Sequence, residues 1–357
     1  MKRFLKKLFI FLLLLVSIAS IGSGVAWIYL QSPVDSNDTK EIVVEIQNGT
    51  GSNQIGRILK EKGLIRSTLM YKLYLKVNNI DDLKASKYTF NKSMSMDEII
   101  KALQEGVVSN DDALKMTFKD GLRIPDYAKV ISKELDEDYE SVMAVMVDKE
   151  FMKELIEKYW FLTDSILDEN IYYPLEGYLA PETYYFDKNS TTKIIIIRML
   201  DQMKENLDKY KDIISKDPHY YITMASIVQL EGTTTENRKQ IVGVLQNRLN
   251  AGMNLGSDVT TYYALQVSMK QDLSREQFDT ENPYNTRGPN MIGKMPVGPI
   301  CNPNMSSIEA SASPTANDYY FFVADKNGEI YFTKTNAEHD QKVQELKDNG
   351  LWIEFSE

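Results

Sequence analysis

The stretch Ile222-Thr-Met-Ala-Ser-Ile-Val-Gln-Leu-Glu-Gly232 forms the centre of this chain. At about 100° per residue, Met224, Ile227 and Val228 form an apolar stripe on one face of a helix. Glu231 completes that stripe, although a carboxylate is rarely found on a buried face. The spacing therefore predicts a helix that carries one carboxyl group into a dry environment.

The position of Glu231 within this helix predicts its chemistry. Gly232 indicates that the helix ends there, which places the carboxyl in the last turn. The negative end of the helix dipole and a dry environment both disfavour a carboxylate, so both are expected to raise its pKa. A carboxylic acid that is protonated near neutral pH can act as a general acid. The alternative is that Glu231 only forms an ion pair with Arg238 or Arg248.

The first thirty residues predict a membrane anchor. Four basic residues within the first seven precede the uncharged apolar run Leu8–Leu30. At about 1.5 Å per residue, a helix of that length crosses a hydrocarbon core of about 30 Å. The basic flank is expected in the cytoplasm, so everything after Gln31 is expected outside. A cleaved signal peptide is the alternative, because Ser17–Ala19 resembles a small-residue cleavage site.

The composition disfavours several classes of function. The chain has 51 acidic and 41 basic residues, a formal net charge of −10, and four of the basic residues lie in the N-terminal flank of the predicted anchor. An acidic surface repels nucleic acid, so we expect no such partner. The single cysteine excludes an intramolecular disulfide, and the two histidines show no metal-ligand spacing. The sequence therefore predicts neither a metal site nor a cofactor.

Small units of strand, turn and helix follow a short polar linker. Glu41–Ile46 is rich in β-branched residues and precedes a glycine turn and a helix. Lys87–Phe90 begins a second unit, in which Ser95 or Asp97 is the predicted helix cap, and Leu114–Phe118 begins a third. Units of this kind resemble LysM-type glycan-binding modules. The alternative is a spacer that only sets the distance from the membrane.

Loops rich in Pro, Gly, Asn and Tyr follow the central helix. They are Leu255–Tyr263, Asn282–Arg287 and Pro296–Pro303. Planar rings for stacking, with amides and hydroxyls for hydrogen bonds, are the side chains that a sugar cleft uses. The alternative is that these residues only mark turns. Near the end of the chain, two aromatic and β-branched runs flank Lys326–Gly328, which predicts a hairpin.

Together these patterns predict an α+β protein with an N-terminal transmembrane helix. Residues 1–31 form the cytoplasmic basic tip and the anchor, and residues 41–112 form a small LysM-like α/β module. Residues 113–357 form a larger mixed α+β catalytic domain. Its catalytic helix covers about residues 219–231.

Six motifs in this order resemble one family. They are Glu176–Tyr184, Ala225–Glu231, Asn247–Leu249, Ser257–Thr260, Pro283–Thr286 and Pro296–Ile300. The chain resembles the MltG (YceG-like) family of endolytic murein transglycosylases over nearly its whole length. The resemblance implies an enzyme that cuts nascent peptidoglycan strands between MurNAc and GlcNAc. It would leave a 1,6-anhydro-MurNAc end and terminate strand elongation near the membrane.

The resemblance also implies residue roles. The signature helix of the family usually reads A-S-I-V-E-K-E, and its second Glu, the catalytic acid, corresponds to Glu231. Gln229 replaces the first Glu, Val259 stands where Pro is common, and Arg287 stands where Tyr is common. By this resemblance, Glu231 would protonate the glycosidic oxygen and then deprotonate the muramyl 6-hydroxyl. The expected substrate-binding residues are Ser257, Asp258, Thr260, Tyr263, Tyr284, Asn285 and Thr286.

The expected partners are peptidoglycan glycan strands, the cytoplasmic membrane through the N-terminal helix, and cell-wall synthases. The expected location is the cell membrane, with a single pass, a cytoplasmic N-terminus and an extracytoplasmic catalytic domain. The alternative hypothesis, from a different class of function, is that the protein is a catalytically silent, glycan-binding scaffold of the cell-wall synthesis machinery. The carboxyl of Glu231 on an apolar face favours the enzyme.

Overall fold

The computed structural model describes residues 27, 29–47, 50–106 and 113–352. The predicted anchor Leu8–Leu30 lies almost entirely outside these residues, so it stays a prediction. In the described ranges, no helix has both the length and the apolar character needed to cross a membrane. This part of the chain is a mixed α+β protein with many helices and small two-stranded sheets.

The chain divides into two compact units. The first comprises the described residues up to Lys115 together with Tyr185–Asn189. The second comprises Met116–Tyr184 and the chain from Ser190 onward. The predicted boundary between residues 112 and 113 stays a prediction.

Among its described residues, the first unit contains an antiparallel strand pair and several short helices. β1 (Ile42–Ile46) pairs with β2 (Ser86–Phe90), with Ile42 opposite Phe90. The helices are α1 (Ser52–Glu61), α2 (Thr68–Val77) and α3 (Met96–Glu105). The alternation in β1 buries Val44 and Ile46 against the apolar sides of the helices. Both predicted strands are confirmed, and Ser95 caps α3 in a capping box with Glu98.

The helices and strands that precede the central helix come mainly from the second unit. β3 (Leu114–Thr117) pairs with β4 (Thr183–Phe186). The helices are α4 (Ile124–Leu135), α5 (Tyr139–Met146), α6 (Lys149–Lys158), α7 (Thr192–Asp208) and α8 (Lys211–Ile214), with a 3-10 turn at Asp164–Leu167. Asp138 and Asp148 cap α5 and α6, because each carboxylate accepts a hydrogen bond from a first-turn amide.

The central helix, α9 (Pro218–Glu231), begins and ends where the sequence predicts. Asp217 caps it by accepting a hydrogen bond from the amide of Tyr220 at 3.0 Å. Every residue from Ile222 to Val228 is buried, so α9 is enclosed on all sides and not only along the predicted apolar stripe. It packs against three helices of the second unit: α10 (Thr235–Asn250), α11 (Asp258–Ala264) and α13 (Met305–Ala312).

Gly232 ends α9 for a reason that differs from the sequence interpretation. Its backbone is extended, with φ −114° and ψ 143°, instead of left-handed. A Cβ at this position would lie 2.7 Å from Cγ of Arg238, because the start of α10 folds back closely here. The glycine is therefore needed for the close approach of two chain segments.

The remaining elements complete the second unit. The predicted loop Leu255–Tyr263 is wrong from Asp258 onward, because α11 begins there with an acidic residue in its first turn, which favours a helix start. A short helix, α12 (Arg275–Phe278), follows α11. The predicted hairpin is confirmed as β5 (Phe321–Ala324) and β6 (Ile330–Thr333), antiparallel, with Phe321 opposite Thr333. Gly328 in its turn has φ 83°, a conformation that favours glycine. The last helix is α14 (Asn336–Asp348).

Candidate active site

Glu231, the last residue of α9, is half-buried and contacts the start of α11. The hydroxyl of Ser257 donates a hydrogen bond to its Oε1 at 2.5 Å. Ser257 occupies the N-cap position of α11, where a serine usually accepts from an amide of its own helix. Its hydroxyl instead donates to Glu231, so this hydrogen bond connects the end of α9 to the start of α11.

The surroundings of Glu231 raise its pKa to about 6. Burial is the largest cause, because desolvation disfavours the charged form, and the nearby carboxylate of Asp258 acts in the same direction. The hydrogen bond from Ser257 and the positive charges of Arg287 and Arg248 favour the carboxylate and limit the shift. Both protonation states of Glu231 are therefore accessible near neutral pH, as an acid that later acts as a base requires.

The two arginines that could have neutralised Glu231 form contacts elsewhere. Arg248 donates from Nε to the carbonyl of Tyr320 and from Nη1 to the carbonyl of Leu255, both at 2.6 Å. Arg238 donates to the hydroxyl of Ser306. Within the described ranges, neither guanidinium forms an ion pair with Glu231. The structure therefore lacks the ion pair on which the purely structural interpretation of Glu231 depends.

Two buried threonines hold Ser257 in place. The Oγ1 of Thr286 accepts a hydrogen bond from the amide of Ser257 at 3.0 Å. The Oγ1 of Thr260 lies 2.8 Å from that of Thr286 and donates to the carbonyl of Ser257 at 2.6 Å. Because these groups are buried and mutually bonded, they fix the backbone from which the Ser257 hydroxyl reaches Glu231.

Three further residues of the predicted substrate set are also buried. Asn285 accepts from the hydroxyl of Thr261 at 2.6 Å and donates to two backbone carbonyls. The rings of Tyr263 and Tyr284 pack edge to face with centroids 4.7 Å apart. In the structure these side chains support the loops around Glu231, and their direct contact with substrate stays a prediction.

Asp258 is the exposed member of the predicted set, and it pairs with Arg287. The Nε of Arg287 contacts Oδ1 of Asp258, and the two side chains are 44% and 50% exposed. The guanidinium also lies over the ring of Phe278, with its Cζ 5.3 Å from the ring centroid. The third departure from the family pattern, Val259, packs against the core around α9.

Glu176 is a functional candidate that the sequence analysis quoted only as part of a motif. It is buried, and its carboxyl accepts hydrogen bonds from the amide of Ile124, the hydroxyl of Tyr263 and the side-chain amide of Asn302. Burial raises the pKa of Glu176 to about 8, and the bonds from Ile124 and Tyr263 oppose that shift. The sequence signal that could have identified Glu176 as a buried carboxyl is its position among aromatic and apolar residues.

Gln229 lies on the side of α9 away from Glu231, as the helical angle of about 200° predicts. Its Nε2 donates to Oδ2 of Asp120 at 2.9 Å. Its Oε1 accepts from the amide of Asn304 and the hydroxyl of Ser307, at 3.0 Å and 2.7 Å. The amide therefore uses both its donor and its acceptor to join α9 to the start of α13.

We expect Gln229→Glu to lower the free energy of unfolding by about 1–3 kcal/mol, because a carboxylate would replace a donor beside Asp120. Urea denaturation measures the loss. The matched test is the double variant with Asp120→Asn, which returns a donor to the pair and should recover most of the stability. A double variant no more stable than Gln229→Glu alone would contradict this assignment.

Comparisons with known proteins show which family and which relatives this chain is similar to. The model of the YceG-like family matches residues 44–345. A Bacillus subtilis protein named endolytic murein transglycosylase is 33% identical over 326 residues, which cover 89% of each chain. A Streptococcus pneumoniae protein of the same name is 32% identical over 339 residues, and the match spans 89% of this chain but 61% of that relative.

A solved structure is similar over most of the chain. The crystal structure of a yceG-like protein from Listeria monocytogenes has 34% sequence identity and a TM-score of 0.59. The match covers 85% of this chain and 99% of that one.

Proposed function

Because this chain belongs to the YceG-like family, we propose that it is an endolytic lytic transglycosylase of peptidoglycan. It would cut glycan strands between MurNAc and GlcNAc and leave a 1,6-anhydro-MurNAc end. The observation that carries the proposal is the half-buried carboxyl of Glu231, held by Ser257, with a pKa raised to about 6. The names of the relatives support the enzyme over the silent scaffold.

In the proposed first step, Glu231 donates its proton to the glycosidic oxygen. The bond from the muramyl C1 to that oxygen breaks, GlcNAc leaves with a free hydroxyl, and positive charge develops on the muramyl ring. The new carboxylate keeps the hydrogen bond from Ser257, which stabilises its charge. A dry site strengthens the attraction between this carboxylate and the cationic sugar.

In the second step, the muramyl 6-hydroxyl attacks C1 of the same sugar. Glu231 accepts the hydroxyl proton, so the residue returns to its starting state and no water is consumed. The nucleophile is tethered to the reacting centre, which gives it a high effective concentration. This chemistry needs one carboxyl, no cofactor and no metal. It therefore assigns no proton transfer to Asp258.

We assign the substrate contacts of the cleft to its exposed edge. Ser257 and Asp258 follow each other beside Glu231, and Asp258 is half-exposed. The buried residues of the predicted substrate set position that edge, and they would contact the glycan strand only where the surrounding loops move apart. These residues are Thr260, Tyr263, Tyr284, Asn285 and Thr286. The strand is therefore expected to lie across the junction of α9 and α11.

The rate of cleavage should depend on pH through Glu231. Its carboxyl must be protonated at the start, so kcat/KM should fall as the pH rises above about 6. Ser257→Ala removes a donor that favours the carboxylate, so the fall should move to higher pH. Asp258→Asn removes a neighbouring negative charge, so the fall should move to lower pH. If Ser257→Ala and Asp258→Asn shifted the pH profile of kcat/KM in the same direction, the causes assigned to the pKa of Glu231 would be wrong.

The first unit is proposed to bind glycan as a LysM-like module. It has a cavity of about 410 Å³, lined by polar side chains such as Asn53, Asn79 and Asp81 and by Tyr71. Asn53 and Asn79 are exposed at this cavity. Asn53→Ala should reduce co-sedimentation of the full-length Glu231→Gln protein with peptidoglycan and leave its melting temperature unchanged. Unchanged sedimentation would contradict the assignment.

The proposed location is the outer face of the cell membrane, with the N-terminal run Leu8–Leu30 as a single-pass anchor and cell-wall synthases as neighbours. The apolar run and its basic flank support this orientation. Protease added outside intact spheroplasts should digest the catalytic unit. Full protection of that unit would contradict the orientation.

The endolytic character is tested by the size of the fragments. The full-length protein in detergent is incubated with long, uniformly labelled glycan strands, and the products are separated by length. Early products of intermediate length support cuts within the strand. Release of disaccharides alone from the earliest times would contradict an endolytic mode.

A further inference from the structure

The guanidinium of Arg287 lies near Glu231, and only some of its N–H donors form hydrogen bonds. Its Nε contacts Asp258, which directly follows the serine bonded to Glu231. Within the described ranges, neither Nη1 nor Nη2 of Arg287 has a hydrogen-bond partner, and the side chain is 44% exposed. The end of a guanidinium that carries both Nη atoms is a flat fork that matches the two oxygens of a carboxylate.

The fork is held from two sides. Asp258 fixes the Nε edge, and the ring of Phe278 lies beneath the guanidinium, 5.3 Å from Cζ to the centroid. The backbone amide of Arg287 donates to Oδ1 of the buried Asn285 at 3.2 Å. A long side chain restrained in this way loses less entropy when a ligand binds, so its remaining donors are prepared for an anion.

The charge of Arg287 also reaches the reacting group. It favours the carboxylate form of Glu231, as does the charge of Arg248. Arg248, however, uses its Nε and Nη1 for backbone carbonyls. Of these two cations, Arg287 is the one with an open fork and an exposed side chain.

We propose that Arg287 is a specificity-determining residue that binds a carboxylate carried by the muramyl residue at the cut site. The inference rests on the proposed function and adds a substrate feature to it. In a glycan strand this carboxylate has two sources: the stem peptide, or the lactyl group once the peptide has been removed. The Nη1 and Nη2 atoms donate to its two oxygens while Nε stays on Asp258. A neutral glycan offers no such group, so the fork selects muramyl strands over neutral strands.

The test uses three strand preparations: peptide-bearing strands, strands stripped of peptide by an amidase, and strands whose carboxyls have been converted to amides. Arg287→Gln should raise KM for a carboxylate-bearing preparation by roughly tenfold or more, and should leave KM for the amidated strands unchanged. Arg287→Lys should recover only part of the affinity, because lysine keeps the charge but lacks the fork. The preparation that loses affinity identifies the source of the carboxylate.

The matched control is Arg275→Gln, which removes the same charge from an exposed position on α12 and should change neither KM nor kcat. Affinity is also measured by strand binding to chains that carry Glu231→Gln, so discrimination is tested without cleavage. If the wild-type protein cuts no strand, the proposed function fails, whereas the binding arm still reports on Arg287. Equal effects of Arg287→Gln on carboxylate and amidated strands, or no effect on either, would overturn the inference.

Discussion

Replacing Glu231 with Gln is expected to abolish strand cleavage and to leave the fold intact. The amide can neither give a proton to the glycosidic oxygen nor take one from the 6-hydroxyl, so both steps lose their catalyst. We expect kcat to fall by at least roughly 10³-fold. The Gln side chain has nearly the same shape and can still accept the hydrogen bond from Ser257. Chromatography of released muropeptides measures the rate, and thermal unfolding checks the fold.

The control for this prediction is Glu236→Gln, the same chemical change at an exposed position in the first turn of α10. It should cleave at the wild-type rate. A Glu231→Gln protein that keeps a tenth or more of the wild-type rate would exclude Glu231 as the acid. A large loss in Glu236→Gln would show that the assay responds to general damage instead of to the site.

The second large effect is expected from Glu176→Ala, which should lower the free energy of unfolding by about 3–5 kcal/mol. The substitution leaves a cavity and deprives three buried donors of their acceptor; they belong to Ile124, Tyr263 and Asn302. Asn302 also accepts from the amides of Gly177 and Leu179, so the damage reaches the segment around residue 176. The urea midpoint measures the loss.

Glu182→Ala is the matched control, because Glu182 is an exposed glutamate of the same stretch. Its stability should lie within about 0.5 kcal/mol of the wild type, as for most surface changes. If Glu176→Ala were no less stable than Glu182→Ala, the hydrogen bonds at Glu176 would not support the second unit as proposed.

Local features of this fold could be predicted from the sequence. β1, β2 and the hairpin β5–β6 follow from β-branched and aromatic residues and from turn residues within a few positions. The end of α9 follows from Gly232, which acts on the residue directly before it. Even here the reason for Gly232 lies in the approach of Arg238, which depends on the path of the following chain.

The site depends on contacts between distant residues, and side-chain type does not predict these. Ser257 meets Glu231 across 26 positions, and Tyr263 meets Glu176 across 87. Hydroxyl, amide and phenol groups in the loops indicate a sugar cleft equally well whether they face the strand or the core. Burial decides between the two, and burial of Thr260 and Thr286 arises from how α11 packs on the loop at residues 283–287.

The most direct test of the central claim is mass spectrometry of the cleavage products made in water enriched in oxygen-18. If the muramyl 6-hydroxyl is the nucleophile, the new ends are 1,6-anhydro-MurNAc and carry no label. Attack by water would give reducing MurNAc ends that carry one labelled oxygen. Unlabelled anhydro ends are the result that we predict, and labelled reducing ends as the main product would contradict the mechanism assigned to Glu231.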